Sequence, residues 1–108
     1  MDVRRWAMVG WVATAVAAAG CSRAEDQTVK LGQELVSAYC ADCHAIGATG
    51  ESPLEVAPRL RDLHLRYDVD FLSEALVEGI VTAHPEMPEF EFDPDQAAAI
   101  VAYLMSLE

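Results

Sequence analysis

The run Cys40-Ala41-Asp42-Cys43-His44 limits what this chain can fold into more than any other feature of its sequence. On a helical turn, Cys40 and Cys43 project from nearly the same face, because residues three apart are neighbours there. Their sulfurs can then bond to the two vinyl groups on one edge of a porphyrin, while His44 brings an imidazole nitrogen to the iron. The run therefore predicts a c-type attachment site that holds one covalent haem c.

Three other uses of the cysteine pair compete with this interpretation. A zinc site needs further ligands at knuckle spacing, and Cys21 lies far away in the chain. A redox pair of the thioredoxin type needs a βαβ context, and no β-rich run precedes Cys40. A disulfide between Cys40 and Cys43 is possible but gives His44 no role. The adjacent histidine therefore favours haem over these alternatives.

The N-terminal segment has the three-part layout of a secretory signal. Arg4 and Arg5 belong to a short charged start, residues 6–19 carry no charge, and small residues precede Cys21. The uncharged run is shorter than the roughly 20 residues that a helix needs to cross a bilayer. We therefore expect residues 1–20 to be a signal peptide and the protein to be periplasmic.

Cys21 makes the number of cysteines odd, and an unpaired thiol in an exported protein needs an explanation. Residues 18–21, Ala-Ala-Gly-Cys, resemble a bacterial lipoprotein signal, in which the chain is cleaved before the cysteine and the sulfur is lipidated. Ala18 departs from that pattern, which usually has a large aliphatic residue there. The resemblance implies lipidation of Cys21 and anchoring at a membrane. An ordinary cleaved signal and an uncleaved anchor are the alternatives.

Acidic residues dominate the chain from Cys21 onward. These 88 residues contain 5 Lys and Arg against 17 Asp and Glu, a formal net charge of −12. Such a charge disfavours nucleic acid as a partner and favours redox proteins with basic docking surfaces. So short a domain buries little apolar surface, and a covalently held porphyrin would supply part of its core.

The pattern of apolar residues predicts an all-α domain. Residues 21–27 are mostly polar and are expected to form a tether. A helix is predicted to begin at Thr28 and to run into Cys40. Its apolar face is predicted to consist of Leu31, Leu35, Val36 and Tyr39. Residues 45–58 contain two glycines and two prolines, which predicts a loop.

Short helices are predicted after this loop. Residues 59–67 favour one helix, with Leu60, Leu63 and His64 directed inward. Either Asp68 or Asp70 can cap the next helix, which is predicted to end at Gly79.

The C-terminal part combines an irregular loop with the clearest helix. Pro85 and Pro88 exclude regular helix around Met87. Asp93 is predicted to cap the last helix, with Pro94 at its first position and Gln96 three residues after the cap. An apolar stripe along this helix consists of Ile100, Tyr103, Leu104 and Leu107.

The order of these elements resembles the class I mono-haem cytochrome c family over residues 28–108. In that family a first helix ends in the haem site, and a terminal helix packs on the first. Gly32 and Val36 match the place where these helices meet, and Tyr103 matches the aromatic residue that packs there. The resemblance implies the small cytochrome c fold, with three to five helices wrapped around one haem.

The iron also needs a ligand opposite His44. In the family it is a methionine on a later loop, and Met87 matches it, so the resemblance implies His44 and Met87 as the metal ligands. Among the other candidates, Met105 is expected to pack in the terminal helix and His64 to lie partly buried. His84 is the alternative ligand, otherwise a solvated loop histidine.

The run Pro58-Arg59-Leu60 resembles the family's Pro-x-Leu motif. The resemblance implies that the carbonyl group of Pro58 accepts a hydrogen bond from the second ring nitrogen of His44, and that Leu60 packs on the haem. The candidate donors for the haem propionates that lie nearby in the sequence are Arg59, Arg61, Arg66 and Tyr67.

These observations predict a single-electron carrier with a His/Met-ligated haem outside the cytoplasm. The alternative is a fixed electron-entry subunit of a periplasmic or membrane dehydrogenase or oxidase complex. A haem peroxidase or gas sensor is disfavoured, because no distal catalytic histidine is identifiable.

Overall fold

The computed structural model describes residues 10–11, 19–79 and 86–108. Its secondary structure consists of three α-helices and two 3₁₀ helices, and these ranges contain no strand. The α-helices are α1 (Ala19–Tyr39), α2 (Leu72–Glu78) and α3 (Pro94–Ser106), and the 3₁₀ helices are Leu60–Leu65 and Val69–Phe71. The predicted all-α fold is confirmed. Most of the predicted signal peptide lies outside the described residues, as do His84 and Pro85.

Helices α1 and α3 cross at Gly32 and pack closely there. A Cβ atom at Gly32 would overlap the backbone carbonyl oxygen of Ala99 and lie 2.8 Å from Cβ of Tyr103. Only a residue without a side chain permits so close an approach, which explains why α1 tolerates a poor helix former here. The predicted meeting point of the first and last helices is therefore confirmed.

Helix α1 begins at Ala19 and not at Thr28, so the expected tether over residues 21–27 is helical. The side chains of residues 22–28 are exposed, and Thr28 Oγ1 donates a hydrogen bond to the carbonyl oxygen of Ala24 (2.9 Å). Polarity correctly indicated exposure, but it does not exclude helix when no helix breaker intervenes. The packed C-terminal half of α1 provides the nucleus from which this part extends.

The predicted apolar face of α1 is only partly correct. Val36 is completely buried and Leu35 is partly buried, whereas Leu31 is 42% exposed and Tyr39 is 49% exposed. Tyr39 faces the cavity described below and packs on Phe90 and Phe92, whereas Leu31 lies beyond the contact with α3.

The segment after the loop is 3₁₀ helix, which changes the predicted position of His64. Leu60 and Leu63 are buried as predicted, but His64 is exposed. A 3₁₀ helix has three residues per turn, so Leu60 and Leu63 lie directly above one another and His64 turns outward.

Helix α2 is bounded by features that the sequence indicated. Asp68 caps the preceding 3₁₀ helix, where its carboxylate accepts a hydrogen bond from the N–H of Asp70 at 3.1 Å. Gly79 ends α2 with φ of +102°, a backbone conformation that favours glycine, and its N–H donates to the carbonyl oxygen of Ala75. The predicted stop at Gly79 is confirmed.

Helix α3 begins with the predicted capping box. The N–H of Gln96 donates to Asp93 Oδ1 at 2.8 Å, and the N–H of Asp93 donates to Gln96 Oε1 at 3.2 Å. Ile100, Tyr103 and Leu104 are buried as predicted. Met105 is 44% exposed, so the expectation that it packs inward is wrong. Its position falls outside the buried stripe of α3.

The apolar core lies between the three α-helices and is closed by the two 3₁₀ helices. Its buried members are Val36, Leu60, Leu63, Val69, Leu76, Phe92, Ala97, Ile100, Val101, Tyr103 and Leu104. In the described part of the chain, no helix has both the length and the apolar character needed to cross a membrane.

Candidate functional site

The two cysteines and the histidine of the Cys-x-x-Cys-His run lie on a turn that continues from α1. The N–H of Cys40 donates to the carbonyl oxygen of Val36 (2.8 Å), and the carbonyl oxygen of Cys40 accepts from Cys43 (3.2 Å) and His44 (2.9 Å). These helix-like hydrogen bonds bring Cys40, Cys43 and His44 onto the wall of one cavity. The two thiols and the imidazole therefore belong to one site.

This cavity lies between the end of α1, the loop after His44, α2 and α3. It has a volume of about 1140 Å³ including its open mouth, and its walls are mainly apolar. It contains all six residues that were predicted to bind the cofactor: Cys40, Cys43, His44, Pro58, Leu60 and Met87. The remaining wall residues are Val36, Tyr39, Leu54, Val56, Ala57, Leu63, Tyr67, Leu72, Leu76, Glu86, Pro88, Phe90, Ile100 and Leu104.

His44 is held by the carbonyl group of Pro58. Its Nδ1 lies 2.6 Å from that oxygen. Because a carbonyl oxygen can only accept, Nδ1 must carry the proton, and in the neutral imidazole Nε2 is then left with its lone pair. This is the tautomer that a histidine needs in order to bind a metal through Nε2.

The loop that carries Pro58 is fastened at several points. The N–H of Leu54 donates to the carbonyl oxygen of Cys43 (3.1 Å), and the N–H of Leu60 donates to that of Ala45 (3.0 Å). The N–H of Ala45 in turn donates to Ser52 Oγ (3.0 Å). Hydrogen bonds before and after Pro58 in the chain therefore fix its position relative to His44.

Tyr103 adds a link from α3 to the same loop. Its hydroxyl group donates to the carbonyl oxygen of Ile46 at 2.5 Å, and burial raises the pKa of Tyr103. Sequence reasoning assigned Tyr103 to helix packing and did not consider Ser52. Neither hydrogen bond has a local sequence signal, since the partners meet only in the folded chain.

Met87 lies on the segment between α2 and α3. It is partly buried and lies on the cavity wall with its neighbours Glu86 and Pro88. Two other ligand candidates, His64 and Met105, are exposed and are absent from the wall. The fold thus brings a thioether into the cavity that holds His44.

The propionate candidates differ in where they lie. Arg59 binds Asp62 (2.7 Å) and Glu51 (3.2 Å), and the hydrogen bond to Asp62 is the main reason that its pKa is raised. Arg61 donates to the carbonyl oxygen of Gly50 at 2.7 Å. Among the four candidates, Tyr67 is the one on the cavity wall.

Burial raises the pKa of the Cys40 thiol to about 11. The cause is the apolar surroundings of Cys40 on the cavity wall.

The donor chemistry of the cavity fits haem c. Apolar walls suit a porphyrin, the paired thiols suit its vinyl groups, and the oriented imidazole and the thioether suit its iron. This fold and site define a class of protein: small electron-transfer proteins with covalently bound haem.

Comparison with known proteins gives the family. The sequence model of the cytochrome c family matches residues 29–108, and the chain belongs to that family. It is similar to cytochrome c-552 of Bradyrhizobium diazoefficiens, with 34% identity over 77 residues that cover 70% of this chain and 71% of the relative. A search of solved structures found no significant match. Haem c is therefore the cofactor of this chain, and its chemistry is haem-based electron transfer.

Proposed function

We propose that the protein is a single-electron carrier that acts outside the cytoplasm and holds its haem iron between His44 and Met87. The observation that carries the proposal is the position of both side chains on the wall of the cavity that also contains Cys40 and Cys43. Bound haem supplies a one-electron couple at its iron. If His44 and Met87 both bound the iron, they would leave no open coordination position for a substrate, as a carrier requires.

The chain's own residues do three things in this proposal. Cys40 and Cys43 attach the porphyrin, and the carbonyl group of Pro58 holds the His44 ring in the binding tautomer. Leu60 and the other apolar wall residues exclude water, and a drier site with a thioether ligand favours the reduced state.

Potentiometry combined with ligand binding tests the proposal. We expect a reversible one-electron titration and no rapid binding of carbon monoxide to the reduced protein, because Met87 occupies the sixth position. Met87→Ala is expected to bind carbon monoxide at once. Met105→Ala is the matched control, because Met105 is exposed on α3 and absent from the cavity wall. Rapid binding by the wild-type protein would indicate an open iron site, as in a peroxidase or gas sensor.

We propose further that the redox partners present basic docking surfaces. The support is the net charge of −12 after residue 20 and the exposure of acidic residues near the cavity, namely Glu51, Glu55, Glu86, Glu89 and Glu91. Raising the ionic strength from about 0.01 M to 0.15 M shortens the screening length from roughly 30 to 8 Å and is expected to slow electron transfer to the partner. A rate independent of ionic strength would contradict this proposal.

The second candidate is a fixed subunit of a dehydrogenase or oxidase complex. Leu65 and Phe71 favour it, since they are 74% and 76% exposed and a permanent interface buries such side chains. Co-purification with a catalytic subunit in constant ratio would support this candidate, and isolation of a free monomer would exclude it.

Anchoring through a lipidated Cys21 is also a proposal. It is supported by the small residues before Cys21 and by the charged and apolar parts that precede them. Mass spectrometry of the mature N-terminus is expected to show an acylated Cys21, and Cys21→Ser is expected to release the protein from membranes. An unmodified Cys21, or a mature chain without it, would contradict the anchor.

A further inference from the structure

Three aromatic rings join the end of α1 to the segment that follows Met87. The ring of Tyr39 meets Phe90 edge to face, with centroids 5.6 Å apart, and meets Phe92 in the same way at 5.3 Å. The rings of Phe90 and Phe92 lie 5.9 Å apart. We call these three residues the aromatic clasp.

The clasp connects the part of the cavity wall at the end of α1 with the part formed by the Met87 segment. Tyr39 is the last residue of α1 and precedes Cys40, while Phe90 lies three positions after Met87. Both Tyr39 and Phe90 lie on the cavity wall, and Phe92 is buried beneath it. The clasp therefore ties the attachment turn to the Met87 segment.

Two further contacts, one with α2 and one with Gly79 directly after it, hold residues 86–92. The N–H of Phe92 donates to the carbonyl oxygen of Leu76 at 2.8 Å. The side chain of Glu89 covers Gly79, where an added Cβ atom would lie 2.7 Å from Glu89 Oε1. Residues 86–92 have no regular secondary structure, and within the described residues these contacts and the clasp hold them against the helices.

We infer that the aromatic clasp positions Met87 as an iron ligand and determines how readily the Met87 sulfur dissociates from the iron. The inference rests on the proposed function, since it requires Met87 to be the sixth ligand. Tyr39, Phe90 and Phe92 are positioning residues that act through Met87. An external ligand can bind the iron only when Met87 has dissociated from it. We call the fraction of molecules in this state the open fraction, and the apparent affinity of the external ligand rises with it.

Imidazole titration of the ferric holoprotein measures this open fraction. Tyr39→Leu removes two edge-to-face contacts at a half-exposed residue, and we expect it to tighten apparent imidazole binding by about tenfold. Tyr39→Phe keeps the ring and is expected to bind imidazole as the wild type does. Phe71→Leu is the control, because it removes an exposed ring that lies outside the cavity wall.

A second variant and a second background keep the test independent of folding defects. Phe90→Leu breaks the same clasp from the Met87 segment and is expected to tighten imidazole binding by a similar factor. The double variant with Tyr39→Leu is expected to show less than the product of the two factors, because both changes remove one shared contact. In a Met87→Ala background, Tyr39→Leu is expected to leave imidazole affinity unchanged.

The outcomes separate the clasp from the ligand assignment. If the ferric wild-type protein lacks a sulfur-to-iron charge-transfer band, Met87 is not the ligand, and both proposals are overturned. If the band is present but Tyr39→Leu and Phe90→Leu bind imidazole as the wild type does, the clasp alone is overturned. A tenfold change that persists in the Met87→Ala background would also overturn the clasp, because the ring would then act without Met87.

Discussion

The loops that bring His44 and Met87 to the cavity are held in different ways. On the His44 side, residues 45–58 are held by hydrogen bonds, including one that Ser52 Oγ accepts from Ala45 and one that Tyr103 donates to Ile46. On the Met87 side, the contacts within the described part of the chain are mainly ring contacts and the backbone hydrogen bond from Phe92 to Leu76 of α2. Hydrogen bonds weaken steeply outside a narrow range of distance and angle, whereas aromatic pairs occur over centroid separations from about 4.5 to 7 Å. We therefore expect residues 45–58 to stay in place and residues 86–92 to move away from the cavity more easily.

The largest effect is expected from Gly32→Ala, which disturbs the helix crossing on which both sides rest. The new methyl group would meet the backbone of Ala99, which cannot yield, so we expect the free energy of unfolding to fall by about 3 kcal/mol. Chemical denaturation of the holoprotein measures it. Gly47→Ala is the control, since no atom lies within 4 Å of the added Cβ, and a change within about 0.5 kcal/mol is expected. Equal costs at the two positions would contradict the close crossing.

Tyr103→Phe is expected to weaken the His44 side alone. It leaves the carbonyl group of Ile46 without the Tyr103 hydroxyl, which costs about 1.5 kcal/mol in the free energy of unfolding. Imidazole binding should stay within about twofold of the wild type. The same change at Tyr39 is expected to leave stability nearly unchanged, because the Tyr39 contacts are made by its ring. A tenfold gain in imidazole affinity for Tyr103→Phe would mean that the two sides are not separate.

Asp93→Ala is expected to loosen the Met87 side, since Asp93 follows the clasp directly. Loss of the N-cap of α3 costs about 1 kcal/mol, measured by thermal or chemical denaturation. Imidazole affinity should rise, but by less than about fivefold. Asp93→Ser retains a capping oxygen and is expected to restore both properties. Failure of Asp93→Ser to do so would show that the capping hydrogen bond is not the cause.

The smallest effect concerns alkaline pH. Burial raises the pKa of Tyr103 above its ordinary value of about 10, so the folded state holds this proton more tightly than the unfolded chain. The resulting stability is complete below pH about 10 and is lost as pH rises through the raised pKa. Denaturation at pH 8 and at about pH 11 is expected to show this loss, and Tyr103→Phe is expected to reduce it. An identical loss in Tyr103→Phe would assign it to other groups.

Much of the fold was predictable because its signals are local. The Asp93 and Gln96 capping box and the stop at Gly79 depend on residues that are close in sequence, and both are confirmed. Gly32 was informative because glycine destabilises a helix, so a glycine within one indicates a close contact such as a helix crossing. The errors at His64 and Met105 arose where the helix type or the width of a contact, and not periodicity, decides burial.

The site was only partly predictable from the sequence. The spacing of Cys40, Cys43 and His44 indicates a haem, because the chemistry needs these residues side by side. Pro58 and Met87 were reached through family resemblance, and their approach to one cavity follows from the tertiary fold. The aromatic clasp has no sequence signal, because Tyr39 and Phe90 are far apart in the chain.

The most direct test of the central claim is the absorption spectrum of the ferric holoprotein with either methionine removed. If His44 and Met87 bind the iron, the sulfur-to-iron charge-transfer band will be present in the wild type and in Met105→Ala, and it will be absent from Met87→Ala. A band that is missing from the wild type, or that survives in Met87→Ala, would contradict the assignment.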